Sequence, residues 1–322
     1  AASHTSQNQP SIDDTSLPTT IVFRLNTIMA ETIRRAAQVA TVDAPFRIYV
    51  GYDSHEEVAW EVFRHSILKR SSVPVEVIPL KREELQKRGV YWREQDPKQS
   101  TEFTYLRFLV PYLAGYSGWA AFVDDDFLCL RDIAELLDLT DDKYALMCVQ
   151  HDFRPTVKTK LANVAQEWYP RKNWSSVMMF NAGHPSNKAC SLSHVNSESG
   201  TSLHRMKWLK DEEIGALPHV WNFLTPWYDR LPEGELPGFV HYTEGGPWFP
   251  DYREDEDTDY RAEWEEELKE FEATLPTTRL LCPYERFSVK GIKPRAGYPN
   301  SDVPFDFSKD RPKTVFSTLS LL

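Results

Sequence analysis

The chain has 322 residues, enough to bury a sizeable core in one α/β unit. Apolar residues make up 41% and charged residues 26%, a balance that excludes a disordered chain. The formal net charge of −11 disfavours a general binder of nucleic acid or anionic membrane, which needs a basic surface.

Residues 1–20 are polar and rich in Ser, Thr and Pro, which predicts a linker or tail, and they lack the apolar centre of a signal peptide. Residues 21–40 have helical apolar spacing ahead of Pro45. FRIYV (46–50) predicts a strand closed by Gly51. HEEVAWEVFRHSILKRS (55–71) predicts an amphipathic helix capped by Ser54. VPVEVIPL (73–80) is a second strand, TEFTYLRFLVPYLAG (101–115) a helix with a late Pro111, and WAAFV (119–123) a third strand. RDIAELLDL (131–139) follows as a helix with Asp132 as its cap, and YALMCVQ (144–150) and SSVMMFNAG (175–183) as strands.

This alternation predicts an α/β fold, a mostly parallel sheet flanked by helices. The second half is less regular, and its acidic segment REDEDTDYRAEWEEELKEFE (253–272) predicts a solvated helix or tether. The tail beyond Gly291 is rich in Pro, Gly and Asp and is expected to be irregular. The expected division is a linker and helix over 1–45, a catalytic unit over 46–250, and an acidic helix with an irregular tail over 251–322. Cys129, Cys148, Cys190 and Cys282 have no metal or redox spacing and predict no disulfide framework. Cys129 and Cys148 sit in apolar contexts, as small core residues do. Asn173-Trp174-Ser175 is a glycosylation sequon, relevant only in a secretory compartment. No apolar run is long enough to span a membrane. The expected location is the cytoplasm or, if an N-terminal anchor has been removed, the Golgi lumen.

In open α/β sheets ligands bind beyond the carboxyl ends of the strands. Three signals fall at such ends: Gly51-Tyr52-Asp53, the triplet Asp124-Asp125-Asp126, and Asn181-Ala182-Gly183. Three adjacent carboxylates repel one another, and the first and third share a face of an extended chain. A hard divalent cation, Mg²⁺ or Mn²⁺, between Asp124 and Asp126 relieves that repulsion and also accepts phosphate oxygens. His241 precedes TEGGPW, in which Gly245 and Gly246 let backbone N–H groups approach a phosphate. His151-Asp152 follows a strand and either faces the cleft or forms a turn. Trp227-Tyr228 and Trp248-Phe249 are candidate walls of an acceptor cleft. Such a site serves glycosyl transfer from a nucleotide sugar, where a cation neutralises the departing diphosphate. The alternatives are a metal-dependent phosphohydrolase or nucleotidyltransferase, and a non-catalytic nucleotide- or carbohydrate-binding protein.

Four segments in order resemble the GT-A nucleotide-diphospho-sugar glycosyltransferases, most closely the family 8 or glycogenin-like group. They are IYVGYDSHEEVAWEVFRHSIL, TYLRFLVPYLAGYSGWAAFVDDDFLCL, SSVMMFNAGH and VHYTEGGPW. The resemblance implies Asp124, Asp126 and His241 as ligands of Mn²⁺ or Mg²⁺, and Asp53 near the nucleotide base. It implies Arg107 and Asp125 beside the donor, Asn181 and Gly183 at the sugar, and Gly245 and Gly246 at the diphosphate. Within LKDEEIGALPHVWNF (209–223), it implies Asp211 or Glu212 on the face of the anomeric carbon opposite the acceptor. A UDP-sugar donor, a hydroxyl acceptor and a retaining outcome follow from the same resemblance. The group's lysine before Pro-Trp is Gly246 here, and Lys158 and Lys160, in the one locally basic stretch, are the candidates to replace it.

Overall fold

The structure, a computed structural model, describes residues 36–94, 99–152, 171, 173–249 and 259–275. Outside these lie the predicted linker, all of the first predicted helix before residue 36, Arg154, Lys158, Lys160, Lys172, Cys282 and the tail beyond Gly291. In chain order the strands are β1 (Phe46–Gly51), β2 (Val75–Leu80), β3 (Trp119–Val123), β4 (Phe127–Cys129), β5 (Leu146–Val149), β6 (Val177–Asn181), β7 (Ile214–Leu217), β8 (Phe223–Leu224) and β9 (Phe239–His241). The α-helices are α1 (Glu57–Arg70), α2 (Arg82–Lys87), α3 (Val110–Leu113), α4 (Ile133–Leu137), α5 (Leu192–Ser197), α6 (Gly200–His204) and α7 (Arg261–Ala273).

Six strands form one sheet in the order β2-β1-β3-β6-β5-β7. Its side chains alternate between two cores. Ile48, Val50, Ala121, Val123, Val177 and Met179 face one, with Trp60, Phe63 and Ile67 of α1. Tyr49, Phe122, Met178, Phe180 and Leu146 face the other, with Phe108 and Leu109. Both faces are covered, so each strand reads as an apolar run rather than an alternating one. The pairings of β1 with β2, β1 with β3, and β5 with β7 are parallel. β6 runs antiparallel to both neighbours, with Val123 opposite Val177 and Trp119 opposite Asn181. Its carboxyl end therefore lies at the edge where the other strands begin.

Local chemistry sets the boundaries. Asp132 caps α4, accepting the Ala134 N–H at 2.9 Å. Ser54 does not cap α1; its hydroxyl donates to Glu102 Oε1 at 2.7 Å, and the helix begins after Glu56. The predicted 101–115 helix is shorter. A 3-10 turn over Leu106–Leu109 leads into α3, where Pro111 sits in the first turn and its missing N–H costs nothing.

The chain leaves the large sheet at Val123 and, three residues later, enters a small one ordered β4-β9-β8. α1 is wedged between the sheets: Val58, Ala59 and Val62 meet Leu128 and Val240 of the small sheet. α7 closes the outer side through Trp264 and Leu268. Glu267 of α7 is 1% exposed, yet its carboxylate meets His65 Nδ1 and Arg70 Nη1, both at 2.6 Å. Cys129, Cys148 and Cys190 are free and buried. No helix among the described residues is long and apolar enough to cross a membrane.

Two outcomes follow for stability. Glu267→Ala leaves Arg70 and His65 without their acceptor and is expected to cost about 2–3 kcal/mol in urea unfolding, less than a fully buried pair because Arg70 keeps contact with water. His204 is held down to about 3 by burial first, then by the charges of Arg107 and Arg93. Its folded value lies below the unfolded one, so the unfolded chain takes up the proton first as pH falls. Stability is expected to decline from pH about 6.5 towards 3, by a fraction of about 1.4 kcal/mol per pH unit from this group. His204→Asn should flatten the acid limb measured by urea midpoints.

Candidate active site

The site is the corner between the two sheets. Asp124, Asp125 and Asp126 occupy the three positions between β3 and β4. The Asp124 N–H is held by Ser176 O at 3.0 Å, and the Tyr242 N–H donates to Asp126 O at 3.0 Å. One residue comes from the large sheet's edge and one from the small sheet, so the corner is fastened on both sides.

Each carboxylate goes a different way. Arg107 Nη1 forms an ion pair with Asp124 Oδ1 at 2.9 Å. That guanidinium also donates to Ser175 O at 2.8 Å and Thr104 O at 3.0 Å, and it lies over the Phe122 ring. Asp125 turns inward, 1% exposed, and accepts the Asp53 N–H at 2.9 Å. Asp126 Oδ2 lies 3.3 Å from His241 Nε2. The β4–β9 register sets Phe127 opposite His241, and the two rings stack with centroids 4.2 Å apart.

Asn222 decides what His241 presents. Its amide nitrogen donates to Ser176 Oγ at 2.8 Å and to Asn173 O at 3.3 Å. Its oxygen is left to accept, so His241 Nδ1, at 2.8 Å, is the donor. With Nδ1 donating to Asn222, His241 turns Nε2 toward the Asp126 carboxylate. Two acceptors at 3.3 Å repel unless a proton or cation lies between them. Asp126 Oδ1 is buried and has no hydrogen-bond partner among the described residues, and Asp124 Oδ1, also buried, has the Arg107 ion pair as its contact. The ligand atoms of Asp124, Asp126 and His241 all lie within 4.8 Å of one another. Two buried carboxylates and one imidazole nitrogen form a donor set that fits Mn²⁺ or Mg²⁺.

The corner is crowded with negative charge. Burial raises the Asp124 carboxyl to about 6, Arg107 opposing and Asp126 adding to the rise. Burial, then Glu56, holds Asp125 well above the usual carboxylate range. Glu56 is pushed up to about 8 by burial, then by Asp126 and Asp53. It accepts the Trp248 Nε1–H at 3.0 Å, which ties the start of α1 to the loop after β9.

The other predicted residues divide. Asp53 is at the corner, but its carboxylate is spent on the N–H groups of His55 (3.0 Å) and Glu102 (3.1 Å). Gly245 has φ 126°, which favours glycine, and a Cβ on Gly246 would lie 2.1 Å from the Trp248 ring. Asn181 and Gly183 do not join the corner. Because β6 is antiparallel, they sit at the opposite edge, where the Asn181 amide donates to Asp142 O at 3.3 Å and Tyr144 O at 3.2 Å. Asp211 and Glu212 do not join it either. They form the turn entering β7 at its amino end, both exposed, and Asp211 pairs with Arg171. They cannot steady a reacting centre held at the far end of the sheet. Glu56, Asn222 and the pair Ser175-Ser176 do belong to the site, and nothing in their local sequence marks them.

A family model, Glycosyl transferase family 8, matches residues 22–250. The Arabidopsis thaliana protein called Protein CDI is 53% identical over 230 residues, covering 70% of this chain and 87% of that protein. Among solved structures, the glycosyltransferase GlyE of Streptococcus pneumoniae TIGR4 is similar at 15% identity and TM-score 0.45, over 71% of this chain and 63% of that one. The chain thus spans less than two thirds of that protein's length. The galactosyltransferase LgtC, in complex with donor and acceptor sugar analogs, is similar at 13% identity and TM-score 0.44, over 72% of this chain and 98% of that one.

The Asn222 geometry has a direct test. Asn222→Ala removes the acceptor that fixes the His241 tautomer and is expected to weaken Mn²⁺ binding by about 10- to 100-fold. Asn222→Asp keeps that acceptor and should lose less, both read by calorimetric titration of the metal.

Proposed function

We propose that this chain, which belongs to glycosyl transferase family 8 and is a glycosyltransferase of GT-A fold, moves a sugar from a UDP-linked donor to a hydroxyl acceptor. The observation that carries this is the converging donor set of Asp124, Asp126 and His241, in which Asp126 Oδ1 is buried without a hydrogen-bond partner among the described residues. Those three residues would hold Mn²⁺ or Mg²⁺. When bound, the ion supplies positive charge to the diphosphate as it leaves.

The chain's own groups do the rest. Arg107, pinned by two carbonyls and by Asp124, keeps the first aspartate oriented and cannot swing away. Asn222 and Phe127 fix the His241 ring in tautomer and in plane. Asp125 and Asp53 join the loops after β3 and β1, so the nucleotide end and the diphosphate end of the cleft move as one. Glu56 holds Trp248, and with it the turn in which the Gly245 N–H donates to Tyr242 O at 2.9 Å, so that only the Gly246 N–H is a candidate for a phosphate oxygen. A retaining outcome follows family resemblance; Asp211 and Glu212, at the amino end of β7, lie away from the aspartate corner.

The test is a calorimetric titration of UDP and then GDP, with and without Mn²⁺, on the wild type and on Asp124→Ala/Asp126→Ala. UDP binding that needs Mn²⁺ and falls at least about 100-fold in the double variant is expected. Product analysis should then show free UDP from UDP-sugars. Release of inorganic phosphate or pyrophosphate, or no nucleotide binding under any condition, overturns the reading.

A further inference from the structure

His151 lies two residues beyond β5, at the same sheet edge as Asp124. It is 7% exposed. Its carbonyl accepts the Trp174 indole N–H at 3.0 Å, which anchors its backbone. Its Nδ1 is 2.7 Å from the Tyr228 hydroxyl. Its Nε2 is buried and has no partner among the described residues. Nothing in the metal-binding arrangement uses it.

The protonation pattern follows from the surroundings. Burial holds the imidazole down to about 3, followed by the charges of His241 and His219, and burial raises the Tyr228 phenol. Both are neutral at ordinary pH. A phenol is the better donor and a neutral imidazole nitrogen the better acceptor, so the Tyr228 O–H donates to Nδ1. The remaining ring proton then sits on Nε2. A buried N–H without an acceptor carries its full desolvation cost, and folded chains rarely leave one so.

The acceptor that completes it is a neutral oxygen. An N–H offers a proton and no lone pair, so it does not ligate a cation. The wall beside it is aromatic: Tyr228, half-buried, stands 5.6 Å from exposed His219, ring to ring, and is backed by the buried Phe223 ring at 5.4 Å. One isolated donor beside an aromatic wall suits a pyranose, whose C–H face rests on the rings while a hydroxyl oxygen takes the hydrogen bond. Resting on the transferase reading above, we propose that His151 Nε2, oriented by Tyr228, is a specificity-determining position that reads a sugar hydroxyl. The hydroxyl belongs either to the sugar being transferred or to the acceptor.

The experiment separates these. UDP, UDP-glucose and UDP-galactose are titrated calorimetrically with Mn²⁺ into the wild type, His151→Phe, His151→Gln and Tyr228→Phe. Methyl glucoside and methyl galactoside are then titrated into each protein saturated with UDP and Mn²⁺. His151→Phe is expected to leave UDP affinity within about twofold and to weaken one sugar-bearing ligand about tenfold, the worth of one hydrogen bond. His151→Gln, whose amide nitrogen falls where Nε2 lies, should recover most of that loss. Tyr228→Phe frees the tautomer and should fall between. Loss confined to a UDP-sugar assigns the hydroxyl to the donor; loss confined to a methyl glycoside assigns it to the acceptor. Equal losses for UDP and UDP-sugars, no loss at all, or a Gln variant that melts like wild type without recovering affinity overturns the proposal. No UDP binding by the wild type sinks the transferase reading and this proposal with it, whereas intact UDP binding with unselective variants sinks this proposal alone.

Discussion

Three carboxylates leave one strand where two sheets meet, and their repulsion has to be absorbed within a few ångströms. The fold does this by sending each to a separate partner. Asp124 takes a guanidinium, Asp125 a backbone N–H, and Asp126 an imidazole. Much of the surrounding structure serves these three contacts. Arg107 is held by carbonyls from two segments, Asp53 comes from the end of β1, and His241 needs the small sheet to set it opposite Phe127. The balance is incomplete, because Asp126 Oδ1 keeps no hydrogen bond among the described residues. The protein holds this arrangement by burial and packing, as binding sites do when a ligand supplies the missing charge.

The contacts behind the first row are of equal weight. Asn222 reaches His241 on one side and Ser176 on the other, while Ser176 O holds the Asp124 N–H. One buried amide thus links the third member of the cluster to the backbone of the first. Glu56 plays a comparable part across the cleft, joining α1 to the loop that carries Gly245 and Gly246. Such links limit how far the ligand atoms can drift, and that sets affinity and geometry together.

Five of the six large-sheet strands were legible in the sequence because both faces are covered, which turns strands into short apolar runs; β7 and the strands of the small sheet were not. The meeting of Asp124, Asp126 and His241 was expected from three like charges at a strand end and from the resemblance of VHYTEGGPW, and the structure brings the three together. The direction of β6 was not. VMMFN packs apolar side chains on both faces whichever way it runs, so the residues at its two ends could not be told apart. That ambiguity sent Asn181 and Gly183 to the wrong edge and hid Ser175-Ser176, which sit at the right one. Asp211 and Glu212 drew notice as carboxylates in a loosely matching segment, but the entry into β7 takes them to the strand's amino end. Glu56, Asn222 and the His151–Tyr228 pair depend on partners far away in the chain, and no local pattern records such pairings.

The corner is also a joint. β3 and β4 belong to different sheets and share only the three aspartates between them, while β9 brings His241 from the far side. An ion seated among Asp124, Asp126 and His241 would act as a rivet through both sheets. Stiffness of the scaffold and occupancy of the pocket then become one variable. Without such an ion the slack would concentrate at the seam between the two sheets.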